Sequence, residues 1–249
     1  MKIAFLSDIH ANLEALNAVL DYTRKEGVDR YACLGDIVGY NPNPSECIKI
    51  VRELEPLCIV KGNHDAYAAT DTPLNSFNPI AAAAIEWTRK NISEEERKWL
   101  NDLPLTANVY TQSVPAARFT AVHASLDEPE NWGYIFDRYS AAACLQYQWQ
   151  PLCFVGHTHA PIAFIRGLTE INGGSYTTIK LDEDKKYLIN VGSVGQPRDR
   201  DPRAAVVIFD VDANEVTLHR VQYDIAETQR KINAVGLPKR CADRLSFGQ

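Results

Sequence analysis

The sequence predicts an α/β fold in which one domain, spanning residues 1–249, contains two β-sheets. Between residues 2 and 65, apolar segments rich in β-type residues alternate with segments of helical periodicity, which favours parallel strand–helix–strand units. After residue 104, short strand-like segments dominate. The sequence contains neither a low-complexity linker nor a repeat of fixed period, so a second domain is not required.

The first part of the chain predicts strands and helices in alternation. Asn12 is a good N-cap for the first expected helix, and Ser93 can cap the helix that is expected at 93–103. The segment at about 78–103 is expected to form a helical cap over the site and to contribute to the pocket walls. The expected elements are strands at 2–7 and 29–36, a strand with its following loop at 57–65, and helices at 13–27, 46–54, 79–91 and 93–103.

The second part of the chain predicts eight strands and two helices. The helices are expected at 140–148 and 225–235. The strands are expected at 106–111, 117–125, 151–159, 162–167, 175–181, 186–193, 204–212 and 215–224.

Composition narrows the classes of partner and compartment. The formal net charge of −6 disfavours broad binding to nucleic-acid backbones, although a few arginines can still hold an anionic ligand. The six cysteines include no CxxC pair and lie mostly in apolar stretches, so we expect free thiols in a reducing compartment. The sequence has neither a signal-peptide pattern nor an apolar run of membrane-spanning length, so we expect a cytoplasmic protein without membrane contacts. The oligomeric state is left open.

The segment FVGHTH ends an apolar run with His157 and His159. If the strand continued, side chains two apart would leave the same face, roughly 6 to 7 Å from each other. That spacing suits one metal ion or two adjacent ions. A surface loop with two solvated histidines is the alternative.

Other polar residues also follow predicted strands, and only His219 among the six histidines stands apart. Because ligands bind outside the carboxyl ends of strands in open α/β sheets, these residues are expected to meet. Carboxylate, amide and imidazole ligands suit two Mn²⁺, Fe or Zn²⁺ ions, whereas the absence of cysteine disfavours a structural zinc. The alternative is a set of polar caps and turns. The residues are Asp8, His10, Asp36, Asn63, His64, Asp65, His123, His157 and His159.

The ordered motifs DIH (8–10), GD (35–36), GNHD (62–65), a strand-ending histidine (123) and GHTH (156–159) resemble those of the calcineurin-like metallophosphoesterase superfamily. The segment GSVGQPRD (192–199) resembles its smaller bacterial and archaeal phosphodiesterase branch. The resemblance implies a four-layer αββα sandwich of two mixed sheets flanked by helices, with the metal site at strand carboxyl ends.

The resemblance also implies residue roles. Asp8, His10 and His159 would bind one metal ion, Asp36 would bridge to a second ion, and His64 would contact the substrate phosphate and protonate the leaving group. The second ion would be held by Asn63, His123 and His157. The cofactors would be two divalent or trivalent transition-metal ions, with Mn²⁺ expected first and Fe or Zn²⁺ as alternatives.

The sequence departs from the phosphoprotein-phosphatase branch of that family. Gly39 and Tyr40 stand where the branch motif GDxVDRG has an aspartate and an arginine, and Asp65 stands where it has a glutamate. These differences favour small phosphodiesters or polyphosphates over phosphoproteins.

Two further residues are candidates for substrate binding, each with an alternative. Asn12 can reach toward a phosphate or cap a helix. Arg198 lies in GSVGQPRD, whose glycines can let backbone N–H groups approach an anion, but Arg200 and Arg203 nearby can simply lie in an exposed turn with Asp199 and Asp201. Tyr40 and Asn41 can line the pocket or form a plain turn.

The sequence therefore predicts a dinuclear metal-dependent phosphoesterase. It would hydrolyse a phosphodiester or a nucleotide-type phosphate bond of a small substrate with a metal-activated water. A dinucleoside polyphosphate hydrolase, a phosphoprotein phosphatase and a non-catalytic metal-binding scaffold are the alternatives.

Overall fold

The computed structural model of the chain describes residues 1–112 and 117–249. Its β-strands are β1 (Lys2–Leu6), β2 (Arg30–Cys33), β3 (Thr106–Tyr110), β4 (Arg118–Val122), β5 (Leu152–Val155), β6 (Ile162–Arg166), β7 (Ile171–Gly174), β8 (Thr178–Lys180), β9 (Lys186–Asn190), β10 (Ala204–Asp210) and β11 (Glu215–Val221). Its α-helices are α1 (Leu13–Lys25), α2 (Pro44–Glu53), α3 (Asn63–Ala69), α4 (Pro79–Asn91), α5 (Glu94–Asp102), α6 (Arg138–Gln146), α7 (Ile225–Ala234) and α8 (Lys239–Asp243).

The strands form two mixed sheets. The first sheet has the order β2-β1-β10-β11-β8, and the second has the order β3-β4-β5-β9-β6-β7. The pairs β1–β2, β4–β5 and β5–β9 are parallel, and the other pairs are antiparallel. Because β1 and β2 are parallel, their carboxyl ends lie at the same edge of the first sheet. The carboxyl ends of β4 and β5 likewise lie at the same edge of the second sheet.

An apolar core holds the two sheets face to face. The Phe5 ring of the first sheet stacks on Phe154 of the second at 3.7 Å between centroids and meets Phe119 edge-on at 5.0 Å. Helices α1 and α2 cover the outer face of the first sheet through residues such as Leu16 and Ile48. Helix α6 covers the outer face of the second sheet. The layers confirm the predicted αββα sandwich.

Local sequence signals account for the helix boundaries that matter near the site. The Asn12 side chain accepts a hydrogen bond from the backbone N–H of Ala15 and begins α1, as predicted. Ser93 and Glu96 form a capping box at the start of α5, which confirms the predicted cap. Helices α4 and α5 together span the predicted helical segment 78–103.

The structure corrects the strand that was predicted at the start of the strand-and-loop segment 57–65. The chain there forms only a single parallel bridge, between Ile59 and Cys33, before α3 begins at Asn63. The ladder ends because the Lys61 N–H turns away to the carbonyl of Pro104. Strand β7 was not predicted, because its sequence INGG ends in two glycines and has weak strand character.

The six cysteines form no disulfide, and all but Cys58 are buried. In the part of the chain that the structure describes, no helix combines the length and apolar character needed to cross a bilayer.

Candidate metal centre

Loops that follow β1, β2, β4 and β5 bring a buried cluster of carboxylates and imidazoles together between the two sheets. Asp36 belongs to two groups of side chains, and the ligand atoms within each group lie within 4.8 Å of one another. The carboxylate of Asp36 is therefore placed where it can face two ions. The first group is Asp8, His10, Asp36 and His159, and the second is Asp36, His123 and His157.

The backbone is strained at most of these positions. A non-glycine residue in the left-handed region costs about 1 kcal/mol or more, so such strain persists only where the surrounding structure enforces it. The loops after β1 and β2 enforce it through backbone hydrogen bonds from Asp8 N to Gly35 O and from His10 N to Asp36 O, at 3.0 and 2.8 Å. The strained residues are Asp8, His10, Asp36, His157 and His159, with φ between 49° and 65°.

Backbone carbonyls determine which ring nitrogen holds a proton in three of the imidazoles. The Nδ1 atoms of His10, His123 and His159 lie 3.0, 2.8 and 2.6 Å from carbonyl oxygens, which only accept, so each Nδ1 carries the proton. Each Nε2 then turns toward the cluster. The Nε2 atoms of His10 and His159 lie 3.1 Å apart, and two facing lone pairs repel unless a cation or a proton lies between them.

Buried polar atoms without hydrogen-bond partners also indicate a cation-binding site in the cluster. Among the described residues, the Nε2 atoms of His123 and His157 and the Oδ1 atoms of Asp8 and Asn63 make no hydrogen bond. Buried polar atoms without partners are rare and call for a ligand. Oxygen and imidazole donors without cysteine fit divalent transition-metal ions.

His157 and His159 do not have the strand geometry that was predicted for them. Strand β5 ends at Val155, and both histidines lie beyond it in left-handed conformations, so strand alternation does not orient them. His159 joins the group with Asp8, and His157 joins the group with His123.

The segment GSVGQ acts as a support for the ligands. The N–H groups of Val194 and Gly195 donate to the carbonyls of Ser7 and Asp8, each at 2.9 Å, and the Ser193 hydroxyl donates to Asp8 O at 2.8 Å. The predicted use of this backbone for an anion is therefore wrong at these two N–H groups. Sequence reasoning missed this support because the contacts join residues 185 apart.

Asp65 ties two of the ligand loops together. Its Oδ1 accepts hydrogen bonds from the N–H groups of Ile37 and Val38, and its Oδ2 accepts from Gly62 N–H. Burial and the nearby Asp36 carboxylate raise the pKa of Asp65 to about 7. The sequence placed Asp65 in the polar cluster without a metal-ligand or catalytic role, and the structure gives it a positioning role.

His64 stands at the mouth of the cluster. Its backbone N–H donates to Asp36 Oδ1 at 2.8 Å, which links it to the ligand set. Its Nδ1 has no hydrogen-bond partner among the described residues, and Gly39, at φ +94°, packs directly against the ring. Burial lowers the pKa of His64 to about 4 against the opposing effect of Asp36, and Arg198 lowers it further.

A cleft of about 250 Å³ opens above these groups. Its lining includes Tyr40 and six residues of the predicted site, which are Asp36, Asn63, His64, His157, His159 and Arg198. Sequence reasoning missed the aromatic residues of the lining because all of them lie outside the predicted elements; for the run NWGYIF (131–136), the available signal was its density of aromatic residues. The missed aromatic lining residues are Tyr67, Phe77, Trp132 and Tyr134.

Arg198 brings positive charge to the cleft. The Gln196 side-chain oxygen accepts from Arg198 at 3.0 Å and from Arg244 at 3.1 Å, and the Arg198 guanidinium lies 5.6 Å from the Tyr40 ring centre. Within residues 1–112 and 117–249, neither arginine forms a salt bridge, whereas Arg203 pairs with Asp201 at 2.6 Å. The Arg198 charge is thus available to an anion.

The structure gives Asn12 the capping role. The side chain is fully buried, donates to Gly195 O at 2.8 Å, caps α1, and does not line the cleft. Asn41 donates to His10 O at 2.7 Å and supports that loop. Substrate contact by Asn12 is therefore not supported.

Replacing Gly156 with alanine tests how tightly the cluster is packed. A Cβ there would overlap the Ser7 hydroxyl and the Asp8 carboxylate. We expect Gly156→Ala to lower metal affinity about 10- to 100-fold, as losses of supporting contacts do. Gly174→Ala is the matched control, since a Cβ there meets nothing within 4 Å. Equal affinity in the two variants, by metal titration, would contradict the packing argument.

Metal binding is expected to release a proton from His123. Burial disfavours its imidazolium, but the Asp36 and Asp8 carboxylates outweigh burial and raise the pKa of His123 to about 10, above the unfolded value of about 6.5. This effect stabilises the metal-free protein below pH 6.5 and is lost as pH rises toward 10, so metal affinity rises over that window.

Calorimetric titration with Mn²⁺ in buffers of different ionisation enthalpy measures the released protons. At pH 7.5 we expect His123→Asn to release about one proton fewer than the wild type, because the amide carries no exchangeable charge. An unchanged proton count would show that His123 is neutral before metal binds.

Comparison with known proteins identifies a matching family profile and a relative that is similar over nearly the whole chain. The family profile described as "Calcineurin-like phosphoesterase superfamily domain" matches residues 1–214. The uncharacterized protein MJ0912 of Methanocaldococcus jannaschii is 42% identical over 248 residues, which cover 99% of this chain and 98% of that protein.

Two further relatives extend the comparison. A metallophosphoesterase of known structure from Sphaerobacter thermophilus is 39% identical, with a TM-score of 0.84 over 100% of this chain and 99% of that one. Phosphodiesterase YfcE of Escherichia coli K12 is 26% identical over 188 residues, which cover 75% of this chain and 85% of that protein.

Proposed function

The chain belongs to the calcineurin-like phosphoesterase superfamily, and on that premise we propose that it is a dinuclear metal-dependent phosphoesterase acting on phosphodiester or nucleotide-type bonds. The observation that carries the proposal is the position of Asp36 in both ligand groups. One ion would be held by Asp8, His10 and His159 with Asp36. The other would be held by Asn63, His123 and His157 with Asp36. We propose Mn²⁺ as the metal, with Fe and Zn²⁺ as alternatives.

When bound, two such ions neutralise charge on a phosphoryl group and lower the pKa of a water molecule enough to make it a nucleophile. The side chains around them have separate tasks. Arg198 would hold a phosphate oxygen through its guanidinium. His64 would donate a hydrogen bond to the phosphate and pass a proton to the leaving oxygen.

We favour phosphodiesters over phosphoproteins for two reasons. Gly39 and Tyr40 leave His64 without a carboxylate partner from that segment and leave Arg198 as the guanidinium of the cleft. The relative YfcE is named a phosphodiesterase. A scaffold role is disfavoured because His64 and the complete ligand set are present together.

Hydrolysis of a chromogenic phosphodiester and its matching monoester by metal-stripped protein tests the proposal. We expect turnover only after Mn²⁺ is added, with the diester preferred. A diadenosine polyphosphate in the same assay tests the polyphosphate alternative. If protein that is folded and loaded with Mn²⁺, Fe²⁺ or Zn²⁺ hydrolyses none of these compounds, the proposal is wrong.

Arg198 is expected to contribute to substrate binding. We expect Arg198→Lys to raise KM about tenfold, because a lysine lacks the planar fork that binds phosphate in a bidentate manner. Arg203→Lys is the control, since Arg203 is already paired with Asp201 outside the cleft. Steady-state kinetics with the phosphodiester would contradict the assignment if both variants kept the wild-type KM.

A further inference from the structure

Trp132 and Tyr134 line one side of the cleft, and Phe136 stacks behind Tyr134 outside it; we define these three residues as the aromatic wall. The Tyr134 ring stacks on His157 at 4.2 Å with an interplanar angle of 24°. Phe136 continues the stack outward at 5.3 Å and 8° from Tyr134. Trp132 stands edge-on to His123 at 6.1 Å. The wall thus begins at the candidate metal ligands and runs toward solvent.

The wall is exposed and its backbone is strained. Tyr134 and Phe136 are 52% and 62% exposed, although Ile135 between them is buried and anchors the segment. Trp132 has a left-handed backbone, with φ 56° and ψ 43°, which is a genuine outlier for so bulky a residue. Strain of this kind beside a site indicates that the side chain position has a use there.

A second aromatic pair faces the same cleft. Phe77 lies edge-on to His64 at 5.5 Å and to Tyr67 at 4.8 Å, and both Phe77 and Tyr67 line the cleft with Tyr134. A planar group that enters beside the phosphate site therefore meets aromatic surface from two directions. Stacking on such surface tolerates any base or aryl ring, because each has a π-face.

We propose that the aromatic wall binds a planar aromatic substituent of the substrate, a nucleobase or an aryl ring, and thereby selects such phosphate esters over aliphatic ones. This inference rests on the proposed phosphoesterase function. Trp132 and the edge of the Tyr134 ring contact the substituent, because His157 and Phe136 cover the two faces of Tyr134 and hold that ring in place. None of the three takes part in proton transfer, so they set specificity and leave the chemistry to the metal cluster and His64.

The test compares ligands that share a phosphate and differ in the planar group. Adenosine 5′-monophosphate is paired with ribose 5-phosphate, and phenyl phosphate with methyl phosphate, as inhibitors of bis(p-nitrophenyl) phosphate hydrolysis by the Mn²⁺-loaded protein. The variants are Trp132→Leu and Tyr134→Leu, at the two wall residues that line the cleft. Tyr139→Ala is the matched control, because Tyr139 is 71% exposed on α6 and lies outside this cleft. Metal content is measured for each, since Tyr134 contacts His157.

In the wild type we expect adenosine 5′-monophosphate to bind about tenfold tighter than ribose 5-phosphate, as stacking of one base provides. Trp132→Leu and Tyr134→Leu should each reduce that ratio to about threefold or less, and Tyr139→Ala should keep it. An equal advantage for phenyl phosphate assigns the wall to aromatic rings in general; an advantage for the nucleotide alone assigns it to nucleobases.

A wild-type ratio near one for both pairs, or a ratio that neither wall variant changes, overturns the inference. Failure of the proposed function is distinguishable, because it appears as absent hydrolysis of the reporter diester. The same ligand pairs are then compared by calorimetry with the Mn²⁺-loaded protein. If the affinity ratio of the aromatic to the aliphatic ligand is smaller in the wall variants than in the wild type, binding of the planar group by the wall is still supported.

Discussion

Replacing Asp36 with asparagine should greatly lower both the number of bound metal ions and the rate of hydrolysis. The carboxylate Oδ2 lies 3.6 Å from His10 Nε2 and 3.4 Å from His123 Nε2, so it is the charge common to both groups. Its removal forfeits several kcal/mol of charge stabilisation, and we expect kcat/KM to fall about 10³-fold or more. Elemental analysis should show fewer than about one ion per chain instead of two.

The asparagine variant is expected to fold. The amide oxygen can still accept from His64 N–H, as Asp36 Oδ1 does at 2.8 Å, so the link to α3 is kept. Asp21→Asn is the matched control, because Asp21 is exposed on α1 and pairs only with Arg24 among the contacts described. Retention of two ions and of wild-type activity by the Asp36 variant would refute the shared-ligand assignment.

Replacing His64 with alanine should lower kcat and leave metal content unchanged. His64 reaches the ligand set through its backbone N–H, which alanine retains. General acids contribute about 10²- to 10⁴-fold, and the loss should be largest for a diester with a poor leaving group and smallest for p-nitrophenolate. His219→Ala is the control, since His219 lies on β11 against Tyr22, at 2.8 Å from its hydroxyl.

The pH profile tests the same role by a second route. Burial holds the pKa of free His64 near 4, so the imidazolium forms only if the negative charge of bound phosphate raises that pKa. Wild-type kcat should then fall as pH rises through the pKa of the complex, and His64→Ala should lack this limb. Wild-type kcat in His64→Ala with a poor leaving group would exclude proton donation by His64.

The strand pattern of the sequence predicted two sheets and the polar cluster, whereas the αββα layers and the individual ligand roles followed from the resemblance of the ordered motifs. Apolar strands that end abruptly in Asp8, Asp36, His123 or His157 leave polar side chains at carboxyl ends that a layered sheet brings together. Ordered motifs therefore located the ligands without knowledge of their geometry.

What the sequence could not predict depends on loop conformation and long-range contacts. The left-handed backbone at His157 and His159 has no periodic signal. The hydrogen bonds of Ser193 to Asp8 and of Asp65 to Val38 join distant segments that local propensity cannot relate. The aromatic residue Tyr134 likewise gains its position beside His157 only from the packing of two loops.

Titration of the metal-stripped protein with Mn²⁺, followed by diester hydrolysis at each step, tests the central claim most directly. The position of Asp36 in both ligand groups predicts that activity rises to a plateau at two ions per chain. A plateau at one ion, or no hydrolysis when both positions are filled, would contradict a dinuclear phosphoesterase.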